Sequence, residues 1–244
     1  MKSNGTTKPQ LQKPDSQVIH SMFSKVAANY DRGNNVLSLG IHHLWRDQLV
    51  KKSGAKPGDQ ILDCATGTGD LAIAFKKVVG TTGTVIGTDF NKDMLTTAPL
   101  KAQAKNLDIK FEIADVTQLQ YSDKKFDICS ISFGIRNVND PVKALKEMGR
   151  VSKSGGQVII LEFGQMNIPV ISSLYGFYSE KILPKLGGVV TGQHEAYNYL
   201  QKSSAAFPCR EGFLKLMDEA GCFSETHFVP VSLGIAYIYF GTVK

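Results

Sequence analysis

No two of the four cysteines, Cys64, Cys129, Cys209 and Cys222, stand at Cys-x-x-Cys spacing, so this 244-residue chain promises neither a zinc site nor a disulfide framework. Cys64 and Cys129 fall in stretches that read as strands, where a reduced thiol acts as a small apolar side chain. Long apolar runs are missing as well. The longest, Val158 to Leu174, is broken by Glu162, Gln165, Asn167 and Pro169, which excludes a membrane span. The N-terminus lacks the apolar core of a signal peptide, and a cytosolic protein is expected. Acidic residues are in deficit, 22 against 28 lysines and arginines, giving a net charge of +6. That excess is scattered in doublets such as Lys51-Lys52, Lys76-Lys77 and Lys124-Lys125. Solvated helix ends and turns explain it as well as an anionic partner does.

The most informative stretch is Gln60 to Ala74, QILDCATGTGDLAIA. A short apolar run ends on Asp63, small residues turn the chain at Ala65 to Gly69, and Leu71, Phe75 and Val78 then recur at helical spacing. Strand, glycine turn and helix open a doubly wound α/β domain, in which ligands lie against bare backbone at the carboxyl ends of the strands. Gly67-x-Gly69-x-x-Ala72 also satisfies a loose dinucleotide fingerprint. Charge separates the options. Asp63 and Asp70 bracket the turn and would oppose a pyrophosphate, whereas S-adenosylmethionine carries an ammonium and a sulfonium. Asp89, closing the run Thr84 to Thr88, is placed to accept hydrogen bonds from both ribose hydroxyls of either ligand.

Residues 1–15 are polar and aperiodic and read as a disordered tail; residues 16–244 read as one domain. A helix from Ser16 to about Asp31, turn chemistry from Asn34 to Gly40, and a helix from Ile41 to Ser53 make a helical cap over residues 16–54. The second strand leads to a helix starting near Asn91. Further strands are expected over Ile109–Ala114, Phe126–Ser132 and Gln157–Glu162, the last entered through a turn at Ser154-Gly155-Gly156. An interrupted apolar stripe over residues 169–190 reads as a lid insertion, with ordinary packing as the alternative. Helix Glu211–Ala220 and a hairpin of Thr226–Val231 with Ile235–Gly241 close the chain.

These motifs converge on one family. Tyr30-Asp31-x-x-Asn34-x-x-x-Ser38-x-Gly40-x-x-x-x-Trp45-Arg46, Phe133-Gly134-Ile135-Arg136-Asn137-Val138 and Leu161-Glu162-Phe163 resemble the signatures of the ubiquinone/menaquinone biosynthesis C-methyltransferases, over roughly residues 23–244. Thr66 is bulkier than the glycine common at its place. The resemblance implies the α/β fold of class I S-adenosylmethionine-dependent methyltransferases, a Rossmann-like, doubly wound seven-stranded sheet with an antiparallel edge hairpin. It implies S-adenosylmethionine as cofactor and a polyprenylated quinol as partner, methylated at a ring carbon. No metal is expected. By position, Thr68 in the glycine turn (with Gly67 and Gly69), Asp89, Asp115, Val116 and Ser132 match the family's donor contacts. Asp115 could equally cap a turn.

Methylation of a ring carbon requires alignment for in-line displacement and help for the developing phenolate. Arg136, in the loop after the fourth strand, is the candidate for that help; a salt bridge is the alternative. Tyr30, Asn34 and Trp45 would line the quinol pocket, Trp45 serving equally well as core. The apolar stripe and basic balance suit shallow contact at the inner face of a membrane. A homodimer is left open on base rates. Rivals are an NAD-dependent oxidoreductase, which would continue with a sixth parallel strand, and a non-catalytic donor-binding module. A nucleic-acid methyltransferase is disfavoured: Ser132-Phe133-Gly134-Ile135 stands where amino-directed enzymes carry Asn/Asp-Pro-Pro-aromatic, and Pro208-Cys209 lies far past the fifth strand.

Overall fold

The computed structural model describes residues 16–27, 30–38, 40–165 and 194–244. Three helices come first: α1 (Ser16–Val26), α2 (Tyr30–Ser38) and α3 (Ile41–Lys52). Then follow β1 (Gln60–Cys64), α4 (Asp70–Val79), β2 (Thr84–Asp89), α5 (Lys92–Leu95), α6 (Ala98–Gln103), β3 (Lys110–Ile113) and β4 (Phe126–Ser132). A 3-10 turn (Ile135–Asn137), α7 (Pro141–Val151) and β5 (Ser152–Phe163) complete the repeating part. Beyond it lie α8 (His194–Ala206), α9 (Glu211–Ala220), β6 (Phe223–Val231) and β7 (Ala236–Val243).

The seven strands form one sheet in the order β3-β2-β1-β4-β5-β7-β6. Strands β1 to β5 run parallel, and β7 runs antiparallel to both β5 and β6. Continuous apolar runs such as Val158 to Leu161, all fully buried, are what a sheet covered on both faces demands. One face packs Leu145 and Met148 of α7 and Phe213 and Met217 of α9; the other packs Trp45 and Leu49 of α3 and Leu71 and Phe75 of α4. Strand order reverses between β1 and β4, which opens a crevice at their carboxyl ends. Cys64 of β1 and Cys129 of β4 are fully buried in the core as free thiols, with their sulfurs 3.8 Å apart.

Several local expectations are corrected. Residues Asn34 to Ser38 are helical, not a turn: α2 runs through them, and the Ser38 hydroxyl donates back to the Asn34 carbonyl at 2.7 Å. The inward position at the end of α4 is Val79; Val78 is 38% exposed. The helix expected from Asn91 is two short ones, with the Asn91 side chain capping the first. Strand β5 starts at Ser152, five residues early, absorbing Gly155 at φ +76° and a register irregularity against β4. Helix α8 has no counterpart in the sequence reading. The tail over residues 1–15 and the lid over 169–190 lie outside the described residues.

Gly69 shows how tightly the first turn is built. Its φ is +85°, and a Cβ there would stand 3.0 Å from Ala98 Cβ and 3.1 Å from the Phe111 ring. Gly69→Ala is expected to destabilise the protein by about 1–2 kcal/mol or more, read as a lowered urea midpoint.

Candidate functional site

The parallel topology brings the expected residues to one edge. Reading across the sheet, Asp115 and Val116 follow β3, Asp89 ends β2, Asp63 to Gly69 end β1 and turn from it, and Ser132 to Asn137 follow β4. The β1 turn is held by main chain: Thr66 N–H donates to the Thr88 carbonyl at 2.8 Å, and Gly69 N–H to the Thr66 carbonyl at 2.9 Å. Ala65 and Phe133, flanking the crevice, adopt φ of 47° and 57° without being glycine, local strain of the kind that gathers at sites.

Two carboxylates face this edge, and among the described residues neither has an ion-pair partner. Asp63 is buried and accepts from Thr66 Oγ1 at 2.6 Å and from Ser130 Oγ of β4 at 2.8 Å. Burial pushes its pKa up to about 6; the two hydroxyls and Arg46 oppose the shift, and Asp89 adds to it. Asp89 accepts from the Gly67 and Asn91 N–H groups, each at 2.9 Å, and loss of hydration raises its pKa too. Asp89, only partly buried, keeps acceptor capacity for a ligand. Anionic phosphates are disfavoured beside this pair, and a cationic ligand is favoured.

Thr68 is buried at the turn, but its hydroxyl is engaged, donating to Asp31 Oδ1 at 2.6 Å. Asp115 is exposed and closes a turn: its Oδ1 accepts from Thr117 N–H at 2.8 Å and Thr117 Oγ1 at 2.9 Å. Val116 packs partly against the core. Ser132 Oγ is buried with no hydrogen-bond partner, an orphan a ligand could satisfy. Arg136 is buried against Glu162: its Nη1 donates to Glu162 Oε1 at 2.8 Å and to the Phe133 carbonyl at 2.5 Å, while Nε has no partner. Trp45 is 5% exposed, donates from Nε1 to Ser232 Oγ at 2.7 Å, and buttresses Phe133 and Phe163. It supports the site more than it lines it. Tyr30 is half-buried against Phe23, and Asn34 is half-buried one turn further along α2.

Other groups at this edge were assigned no role from the sequence. Tyr199 of α8 donates to Asn137 Oδ1 at 3.0 Å; burial raises its pKa, and Arg136 and Glu162 are near enough to act on it. Nothing in the periodicity around residue 199 marks it. Arg46 and Lys101 both pair with Asp70; burial alone would raise its pKa, but the two cations outweigh that and hold it low. Arg46 was part of a quoted motif, whereas Lys101 is joined to the turn only by the fold. His42, His43 and Asp70 bring ligand atoms within 4.8 Å of one another. Arg46 and Lys101 already hold that carboxylate, and burial, Arg46 and His43 push His42 down to about 3, so the surroundings disfavour a metal ion. A cavity of about 620 Å³, lined by Lys52, Lys56, Asp59, Asp127 and Lys153, lies at the opposite, amino edge of the sheet. Lys56 pairs with Asp59 there and Lys153 with Asp127.

Residues 11–243 match the model of the ubiE/COQ5 methyltransferase family. The chain belongs to that family. It is 71% identical over 95% of its length to the ubiquinone/menaquinone biosynthesis C-methyltransferase UbiE of Bdellovibrio bacteriovorus, covering 98% of that protein. It is 40% identical over 91% of its length to UbiE of Hydrogenovibrio crunogenus, covering 88% of it. Among solved structures, a SAM-dependent methyltransferase of Aquifex aeolicus superposes with a TM-score of 0.62 at 18% identity, covering 82% of this chain and 89% of that one. A possible histamine N-methyltransferase of Thermotoga maritima gives 0.64 at 21%, covering 93% and 100%. These two share the fold. As a member of its family the chain is an S-adenosylmethionine-dependent methyltransferase, and the unpaired carboxylates and the orphaned Ser132 hydroxyl fit that donor.

A pH dependence follows from Asp63. Its folded pKa lies above the unfolded value, so protons bind the native state more tightly, and the stability they add is lost as pH rises from about 4 to 6. The ligand-free protein is expected to lose up to about 3 kcal/mol across that window from this group. Asp63→Asn should flatten the profile. Urea titrations at stepped pH check this; an equally steep profile in the variant removes Asp63 as the cause.

Proposed function

We propose that the chain acts in ubiquinone/menaquinone biosynthesis, moving a methyl group from S-adenosylmethionine to a ring carbon of a polyprenylated quinol. The near-full-length match to the Bdellovibrio C-methyltransferase carries this reading. The carboxyl edge of the sheet supports it. Asp89 would take the ribose hydroxyls, Thr68, Gly67 and Gly69 the amino-acid end, Asp115 the adenine amine through its second oxygen, Val116 the adenine face, and Ser132 a further polar contact. S-adenosylmethionine, when bound, supplies an electrophilic methyl group whose sulfur leaves as a neutral thioether.

The chain's own residues would do the rest. Asp63 and Asp89 hold negative potential against a cationic donor and relax it when that charge is neutralised. A quinol carbon is a good nucleophile once its neighbouring hydroxyl gives up a proton, and the resulting oxyanion needs donors. Arg136, whose charge Glu162 neutralises, would offer its unpartnered Nε N–H there. A guanidinium is no base at neutral pH, so the hydroxyl proton and, after C–C bond formation, the ring proton pass to water. Tyr199 donates to Asn137 Oδ1 and would hold that side chain in place beside Arg136. Tyr30, Asn34 and the support of Trp45 would shape the pocket wall.

Leu44, Phe90, Ile113 and Leu233 are all strongly exposed and all sit near this edge. That apolar fringe suits a prenyl tail and shallow contact with a lipid surface. No helix among the described residues is long and apolar enough to cross a membrane. Failure to cosediment with anionic vesicles, with and without quinone, would remove the lipid-surface reading.

Labelled S-adenosylmethionine offered with reduced benzoquinone and naphthoquinone acceptors tests the reaction. Label on a ring carbon is expected, and donor binding without transfer to either acceptor would overturn the assignment. In the same assay Tyr199→Phe is expected to lower kcat about tenfold with donor affinity unchanged.

A further inference from the structure

Asp31, the second residue of α2, reaches across to the glycine turn. Its carboxylate accepts from Thr68 Oγ1 and from Lys101 Nζ, both at 2.6 Å. Lys101 Nζ also donates to Thr68 Oγ1 at 3.2 Å and to Asp70 Oδ1 at 2.5 Å, and the other oxygen of Asp70 accepts from Arg46 Nη1 at 3.3 Å. A hydroxyl and an ammonium thus converge on one point at the rim of the turn, and the group that fills it is a carboxylate borne on a different element. Lys101 has no neighbour in sequence that explains its placement; α6 delivers it.

Charge accounting sharpens the picture. Asp31 and Asp70 balance Lys101 and Arg46, so removing the Asp31 carboxylate leaves one positive charge in excess. The donor is asymmetric, with a sulfonium and an ammonium but a single anionic group, its α-carboxylate. The cationic parts meet the negative potential of Asp63, and Asp89 takes the ribose hydroxyls. The cradle of Thr68 and Lys101 suits the anionic part, and Asp31, about one-third exposed and held by ion pairs that water weakens, can be displaced.

We infer that Thr68 and Lys101 form the carboxylate subsite of the donor and that Asp31 occupies it as an internal stand-in until the donor arrives. The inference rests on the assignment of the glycine turn to S-adenosylmethionine made above. It couples the two substrates. Helix α2 also carries Tyr30 and Asn34, so release of Asp31 frees the wall of the proposed quinol pocket to move.

Calorimetric titration of the full chain tests this with three ligands: S-adenosylmethionine, its decarboxylated form, and methylthioadenosine, which lacks the amino-acid end. Asp31→Ala is expected to bind S-adenosylmethionine about tenfold more tightly and methylthioadenosine within twofold of the parent. In the Asp31→Ala background, adding Lys101→Met should weaken S-adenosylmethionine about tenfold and the decarboxylated form less than twofold. Unchanged or weaker S-adenosylmethionine binding in Asp31→Ala overturns the stand-in, and equal weakening of both donors by Lys101→Met overturns the subsite. If the parent binds neither S-adenosylmethionine nor methylthioadenosine, the assignment of the turn itself fails, and the inference with it.

Discussion

A carboxylate kept away from water and without an ion-pair partner is an unstable thing, and Asp63 is the point on which this site turns. It stands where the strand order reverses, and its two oxygens tie β1 to β4 through Ser130 and to the glycine turn through Thr66. Those hydroxyls do not fully replace lost hydration, as the raised pKa records. The protein therefore carries an unmet demand for positive charge at the bottom of its crevice. Asp89, one strand over, makes the same demand while holding the Gly67 N–H in place. A donor bearing positive centres and a ribose diol satisfies both. A dinucleotide pyrophosphate would deepen the problem, which is why the glycine pattern alone says less than the carboxylates around it.

The opposite polarity lies at the rim. Lys101 and Arg46 gather Asp31 and Asp70 into a network that spans α2, α3, α4 and α6. Negative potential inside and, once Asp31 is displaced, an excess positive charge at the rim give the crevice a direction, and a zwitterionic ligand with its carboxylate at one end can align with it in one sense only. Orientation of this kind costs little at the moment of reaction because the dipoles are already fixed.

Much of this was legible in the sequence, and the failures have physical reasons. Strand β4 and helices α3 and α9 were readable because unbroken apolar or helical spacing ends at an evident stop, such as Gly54 at φ +73°. The seven-stranded layout followed from those units. Helix α2 was misread because Asn34, Asn35 and Ser38 favour turns when isolated; in the fold the Ser38 hydroxyl finds the Asn34 carbonyl and the helix continues. Val78 was misassigned because a stripe at three- and four-residue steps cannot say where α4 ends relative to the sheet. Lys101 and Tyr199 could not have been found at all: each is brought to the site by elements far away in the chain, and neither sits in a pattern of its own.

Arg136 is where sequence and structure pull hardest against each other. A signature arginine after β4 invites a catalytic role, yet its guanidinium is paired with Glu162 inside the protein. A neutralised ion pair offers a distant oxyanion little, since the two fields nearly cancel. What survives at close range is direction. Glu162 and the Phe133 carbonyl hold Nη1, which fixes the plane of the fork, and the unpartnered Nε is left with one buried N–H to give. In the proposed reaction that N–H, and not the net charge, is what an oxyanion forming within hydrogen-bond reach would gain. Glu162 then matters as much as Arg136, because without it the fork is free to rotate and the N–H loses its aim.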